Sequence, residues 1–109
     1  MLPKSKRQST EAFTEIIEKG RSFHSPFLIL RVLPHAGDSK FSVSVPKKVA
    51  KLATDRNKRR RQVYSAISKL EYKPNFRVIV ILKAESKNLT FSDLQNEIKQ
   101  VFVKSGLLK

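Results

Sequence analysis

The apolar positions of this chain follow a strand pattern in some stretches and a helical spacing in others, and these two patterns predict its strands and helices. Residues 27–33 (FLILRVL) form a nearly continuous apolar run, and residues 41–45 (FSVSV) alternate strictly between apolar and small polar side chains, so both predict strands. Residues 78–82 are apolar on both faces, which predicts a central strand. There is room for one more short strand near residues 21–24.

Three other stretches carry apolar residues at helical spacing. The first ends at Gly20, the second follows the basic block described below, and the third is capped by Thr90 or Ser92. Their apolar positions are Ala12, Phe13, Ile16 and Ile17; Val63, Ile67 and Leu70; and Leu94, Ile98, Val101 and Phe102. We therefore expect a small α+β domain of about four strands and three helices. It spans residues 1–109 as a single unit, with residues 1–8 as a flexible basic arm.

The charge balance indicates a polyanionic partner. The 23 Lys and Arg residues outnumber the 9 Asp and Glu residues and leave a formal net charge of +14. A nucleic acid relieves the self-repulsion of such a domain and releases counterions on binding, so it is the leading partner class. An anionic membrane surface is the alternative, but no long helix combines a basic face with a Trp- or Leu-rich one. The absence of Cys excludes disulfides and thiolate metal sites and fits the cytoplasm.

The most informative segment is residues 47–61 (KKVAKLATDRNKRRR), which contains eight bases and one acid. Most charge runs are simply solvated helix faces. Here, however, the block opens a helix, where the helix dipole disfavours cations. A rotation of about 100° per residue also places Arg56 and Arg60 on the apolar stripe that continues at Val63. We therefore expect the first turns to project beyond the core and line a groove, where guanidinium groups bind RNA phosphates.

Two stretches of this region resemble the signature of the ribonuclease P protein family. They are Val45–Lys51 (VPKKVAK), similar to the family's V-S-K-K-V strand end, and Asp55–Arg61, similar to its Arg-Asn-centred basic helix. A Leu-Pro-Lys start, a Phe in the first helix, Gly-Arg after it and a C-terminal amphipathic helix also fall in family order, so the resemblance covers nearly the whole chain. The chain departs from the pattern at Pro46 (usually Ser), Ala50 (commonly Gly), Gln62 (often basic) and one extra residue before Arg56.

The resemblance implies a fold and a function. The fold is a small α/β sandwich, of the class of ribosomal protein S5 domain 2, in which the basic helix forms a left-handed strand–helix–strand crossover. Such crossovers are right-handed in about 98% of cases, so this hand comes from the resemblance alone. The implied function is that of the protein subunit of ribonuclease P, which binds the catalytic RNA and the 5′ leader of precursor tRNA. The RNA, with Mg²⁺, hydrolyses the phosphodiester.

The same resemblance implies what the protein itself contributes. It is expected to bind no cofactor or metal itself, to supply no catalytic residue and to be a monomer within a 1:1 ribonucleoprotein in the cytoplasm. The catalytic RNA is expected to contact Lys47, Lys48, Lys51, Arg56, Asn57, Lys58, Arg60 and Arg61.

The leader is expected to lie in a cleft between the first helix and the open face of the sheet. The candidate lining residues are Phe13, Ile17, Leu30, Ser42 and Ser44. The two serines lie on the face of the alternating strand opposite its apolar side chains. Phe13 can either stack on a base of the leader or pack in the core, and the sequence leaves both open.

Two other functions are open at this point. A ribosomal or other small RNA-binding protein has the same size and charge, and the Lys-Lys…Arg-Asn spacing argues against it. A small protein-only nuclease needs a histidine pair or a carboxylate cluster for proton transfer or for Mg²⁺. His24 and His35 have no cluster of acids near them in the sequence, and a lone loop histidine is usually just solvated.

Overall fold

The strands and helices follow the order that the hydrophobic pattern predicts. In the computed structural model, which describes residues 16–34 and 36–108, residues 16–19 are helical and are labelled α1. The other elements are β1 Arg21–His24, β2 Leu28–Pro34, β3 Lys40–Ser44, α2 Ala53–Ser68, β4 Phe76–Leu82, a 3-10 helix Ala84–Asn88, and α3 Phe91–Ser105. The predicted arm at residues 1–8, Phe13 and His35 lie outside the described residues.

The four strands form one mixed sheet in the order β1-β2-β4-β3. Strands β1 and β2 pair antiparallel, as do β2 and β4, whereas β3 and β4 pair parallel. A parallel pair needs a crossover connection, and α2 supplies it. The strand–helix–strand unit that the resemblance implies is therefore present, and its left hand stays a prediction. Strand β4 is central, because Val78, Ile79 and Val80 are each 0% exposed.

The main core lies between one face of the sheet and helices α2 and α3. Alternate residues of β2 and β4 supply the sheet side, where Leu30 pairs with Val80 in register. Helix α3 presents its apolar stripe to this core, and Thr90 caps the helix by accepting a hydrogen bond from the Asp93 backbone N–H at 3.1 Å. The buried helix residues are Val63, Ala66 and Ile67 of α2 and Leu94, Ile98, Val101 and Phe102 of α3.

Helix α1 lies against the other face of the sheet. Arg31 shares that face with Ile79, its register partner, and donates hydrogen bonds to the backbone carbonyls of Ile17 and Gly20. Ile16 is 0% exposed yet stands apart from the main core cluster. A β-carbon at Gly20 would lie 2.5 Å from the Ile16 carbonyl oxygen, so only glycine fits where α1 ends. The result is a three-layer sandwich of α1, sheet, and α2 with α3.

A buried serine connects the start of β3 to the turn that precedes β4. Ser39 is 2% exposed. Its hydroxyl donates to the Lys73 carbonyl at 2.6 Å and accepts from the Phe76 backbone N–H at 3.1 Å. The Ser39 side chain lies just before β3, and the two backbone groups that it binds lie just before β4 and at its first residue. These hydrogen bonds therefore join the N-terminal ends of the two parallel strands.

We expect Ser39→Ala to lower the free energy of unfolding by about 1–3 kcal/mol, because a buried donor and acceptor lose their partner. Urea unfolding monitored by circular dichroism measures the change. Ser92→Ala is the matched control, since Ser92 is exposed on α3, and its effect should stay within about 0.5 kcal/mol. Equal effects of the two substitutions would contradict the structural role of Ser39.

Candidate nucleic-acid interface

The first three lysines of the basic block lie on a turn that precedes helix α2. The Pro46 carbonyl accepts a hydrogen bond from the Val49 backbone N–H at 3.0 Å. Val49 is 3% exposed, so it anchors the turn in the core while Lys47 and Lys48 extend into solvent. The prediction that the block itself opens the helix is wrong for residues 47–52, because α2 begins at Ala53. The burial of Val49 holds this segment in a turn instead.

Arg56 connects that turn to the helix. Its Nη1 donates to the Ala50 carbonyl at 3.1 Å and to the Lys51 carbonyl at 2.7 Å. The side chain is partly buried, so its guanidinium is held at the junction between turn and helix. The predicted contact residues Lys51 and Arg56 are therefore brought together by the structure.

The next predicted contacts lie on the outer side of α2. Asn57, Lys58 and Arg61 are exposed, and Arg60 is partly buried. The Arg60 Nη2 donates to the Asn57 Oδ1. This hydrogen bond directs the Arg60 guanidinium towards the preceding turn of the helix. Asn57 thus acts as a hydrogen-bond acceptor among the cations of residues 47–61.

Arg59, which the predicted set of contacts omits, makes the largest number of described hydrogen bonds in this region. Its Nη2 donates to the carbonyls of Ser86, Lys87 and Leu89 at 3.3, 3.2 and 2.6 Å. Its Nη1 donates to the Gln62 Oε1 at 3.2 Å. Partial burial lowers the pKa of Arg59 from its ordinary value, because desolvation disfavours the charged form. An arginine nevertheless stays cationic at neutral pH.

Helical spacing could have identified Arg59. It precedes Val63 by four residues and Ile67 by eight, so it lies on the side of α2 that continues the buried stripe, as Arg56 also does. At the position where the stripe needs an apolar side chain, the helix carries a guanidinium. The guanidinium is tolerated because backbone carbonyls of another segment satisfy it.

A groove of about 590 Å³ separates the start of α2 from the segment that Arg59 holds. Because β3 and β4 are parallel neighbours, the residues that follow them leave the sheet at the same edge. The turn after β3 and the 3-10 helix after β4 therefore face one another. The basic lining residues are Lys51, Lys58, Arg59 and Lys87, and Asp55 is the acidic one.

The predicted cleft residues divide between the two faces of the sheet. Ser42 and Ser44 pair with Ile79 and Ile81, on the face that α1 covers. Ile17 of α1 is 38% exposed. The prediction for Leu30 is wrong: it is 0% exposed in the main core, on the opposite face from the serines. Strand alternation forces this, because a nearly continuous apolar run does not show which residues face which side.

Two further observations concern the alternatives raised by the sequence. Across residues 16–34 and 36–108, no three His, Cys, Asp or Glu side chains are grouped so that they could hold a metal ion. His24 is exposed. Among the helices described, none is both long and apolar enough to cross a bilayer.

The chain is similar in sequence to proteins of one family. The family model for Ribonuclease P matches residues 2–106. The ribonuclease P protein component of Synechocystis is 30% identical over an alignment of 112 positions, which spans 98% of this chain and 90% of that protein. The ribonuclease P protein component of Clostridioides difficile is 29% identical over 98 residues, which cover 87% of this chain and 86% of that protein.

Solved structures of such proteins share the fold. A Staphylococcus aureus RNase P protein mutant with defective mRNA degradation activity superposes with a TM-score of 0.85 at 24% identity, covering 96% of this chain and 92% of that one. The RNase P protein from Thermotoga maritima superposes with a TM-score of 0.72 at 22% identity, covering 87% and 96%. At these identities the likeness establishes the fold.

Arg59→Met should lower the free energy of unfolding by about 1–3 kcal/mol, because three backbone carbonyls lose a charged donor. Arg61→Met is the matched control, since Arg61 is exposed on the same helix, and its effect should stay within about 0.5 kcal/mol. Chemical unfolding of both variants tests this. If Arg59→Met is as stable as the control, the carbonyl contacts contribute nothing to the fold.

Proposed function

The chain belongs to the ribonuclease P protein family, and on that premise we propose that it binds the catalytic RNA through the basic surface around α2. We define this surface by the predicted contacts Lys47, Lys48, Lys51, Arg56, Asn57, Lys58, Arg60 and Arg61. Its role is to assist removal of the 5′ leader from precursor tRNA. The RNA subunit, with Mg²⁺, supplies the chemistry of phosphodiester hydrolysis.

The observation that carries this proposal is the fixed placement of the cations. Arg56 and Arg60 are held by hydrogen bonds within the turn and the helix, while Lys47 and Lys58 are exposed beside them. Fixing a guanidinium before binding reduces the side-chain entropy that is lost when it contacts a phosphate. A planar guanidinium also matches two phosphate oxygens at once, as recognition of an RNA backbone requires.

The leader is proposed to bind on the other side of the sheet, beneath α1. Ser42 and Ser44 supply hydroxyl groups on that face, and Ile17 supplies exposed apolar surface. Phe13 belongs to the proposal on the sequence alone. Binding through backbone contacts and stacking tolerates different sequences, as a protein that acts on many precursor tRNAs requires.

The remaining parts of the proposal concern the assembly. One copy of the chain binds one catalytic RNA, in the cytoplasm, and the protein supplies no catalytic residue. A different small RNA-binding role would use the same basic surface. Family membership favours the ribonuclease P role over it.

Salt dependence tests the basic surface. If six cations contact phosphates, affinity for the catalytic RNA should fall by about three decades between 50 and 200 mM salt, because each contact releases condensed counterions. A filter-binding or fluorescence titration at several salt concentrations gives the slope. An affinity that hardly changes with salt concentration would contradict the proposal that these cations bind phosphates.

Paired substitutions should separate the two proposed RNA surfaces. Arg60→Ala should weaken binding of the catalytic RNA by about 1–3 kcal/mol without substrate present, because a charge-assisted contact is lost. Ile17→Ala should leave that affinity unchanged and instead lower the preference of the holoenzyme for precursor over mature tRNA several-fold. Equilibrium titrations with the two tRNAs measure this preference. If Ile17→Ala keeps the same preference for precursor over mature tRNA as wild type, Ile17 is excluded from the cleft.

A further inference from the structure

The groove beside Arg59 has a second wall that lies outside the basic surface defined above. We propose that this groove binds a backbone strand of the catalytic RNA between Lys58 on α2 and Lys87 on the 3-10 helix. Arg59 is then a positioning residue that holds the second wall in place. This inference rests on the proposed function and extends the RNA contact to a segment about thirty residues further along the chain.

The first wall is formed by the junction of the turn with α2, where Arg56 binds backbone carbonyls. Lys51 lies where the turn meets α2, and its carbonyl accepts from Arg56 at 2.7 Å. Lys58 is exposed on the helix, and both lysines line the groove. Leu52 is 64% exposed at the same rim, so apolar surface for a sugar or a base lies beside the cations.

The second wall is held by its backbone. The Ser86 hydroxyl donates to the Lys83 carbonyl at 2.7 Å, and Ser86 itself is 0% exposed. Arg59 then binds three carbonyls of the same short segment. With its backbone fixed on both sides, the segment presents the exposed side chain of Lys87 to the groove. Lys87 and Lys58 therefore line the same groove from two different segments of the chain.

Arg59 itself is poorly placed to bind a phosphate. Its guanidinium already donates to three backbone carbonyls and one side-chain amide, and it is partly buried. Three lysines and one aspartate line the groove besides Arg59. That balance favours an anion, and the volume of about 590 Å³ suits an extended strand rather than a single small ion.

The first experiment measures the affinity of the full chain for the catalytic RNA after Lys87→Ala. We expect a loss of roughly eightfold at 0.1 M salt that disappears near 1 M, because one phosphate contact changes the salt slope by about 0.9. Lys73→Ala is the matched control: Lys73 is also exposed but precedes β4, at the opposite edge of the sheet. The proposal is overturned if both variants bind alike.

The second experiment is a double-mutant cycle of Arg59→Met and Lys87→Ala. A positioning role predicts that Arg59→Met weakens binding about as much as Lys87→Ala and that the double variant binds no worse than Arg59→Met alone. If the two losses multiply, Arg59 acts independently of Lys87 and its positioning role is excluded. Unchanged affinity of a folded Arg59→Met protein would assign Arg59 to stability alone and exclude the role equally.

If Arg59→Met fails to fold, Arg59→Lys takes its place in the experiment. A lysine retains the charge but replaces the planar fork, so it should keep the fold and restore only part of the affinity. Arg60→Ala distinguishes failure of this inference from failure of the proposed function. If wild type binds the catalytic RNA and Arg60→Ala weakens it while Lys87→Ala does not, only the second wall is withdrawn. If wild type does not bind that RNA, the proposed function falls with it.

Discussion

The parallel pairing of β3 with β4 is the constraint on which the rest of the structure depends. Two parallel neighbours cannot be joined by a tight turn, so the chain must return along a face of the sheet between Ser44 and Phe76. Helix α2 makes that return and covers one face. Because β4 is buried on both sides, the other face also needs a cover, and α1 provides it with Ile16. The layers of the domain follow from one pairing.

The same pairing places the basic residues. The turn after β3 and the 3-10 helix after β4 leave the sheet at one edge, so segments that are distant in sequence form two sides of a groove. A helix that begins beyond this edge has few core neighbours in its first turns. Its side chains there can be cationic at little cost, whereas from Val63 onward they must be apolar.

Arg59 lies at the boundary between the cationic first turns of α2 and its apolar second half. A guanidinium on the buried stripe would be costly by itself, and the carbonyls of the segment after β4 offset that cost. In the proposed assembly, the sheet then separates two surfaces: the catalytic RNA contacts the side of α2, and the leader contacts the side of α1. In that proposal, one small domain binds both RNAs because its two faces are covered by different helices.

The sequence by itself determined the elements and the basic surface. Apolar runs, alternation and helical spacing located β2, β3, β4 and the three α-helices in order. The charge of residues 47–61 located the RNA-binding candidates, and the resemblance identified the family. These are local properties, so a local pattern can reveal them.

Only the tertiary structure decided the start of α2, the face of Leu30 and the role of Arg59. Helix α2 starts at Ala53 because Val49 is buried against the core. Leu30 faces the main core because its register with Val80 assigns the face, which a nearly continuous apolar run cannot do. The carbonyls that bind Arg59 lie 27 to 30 residues away in the chain. Each of these depends on which distant segments the folded sheet brings together, and no local periodicity records that.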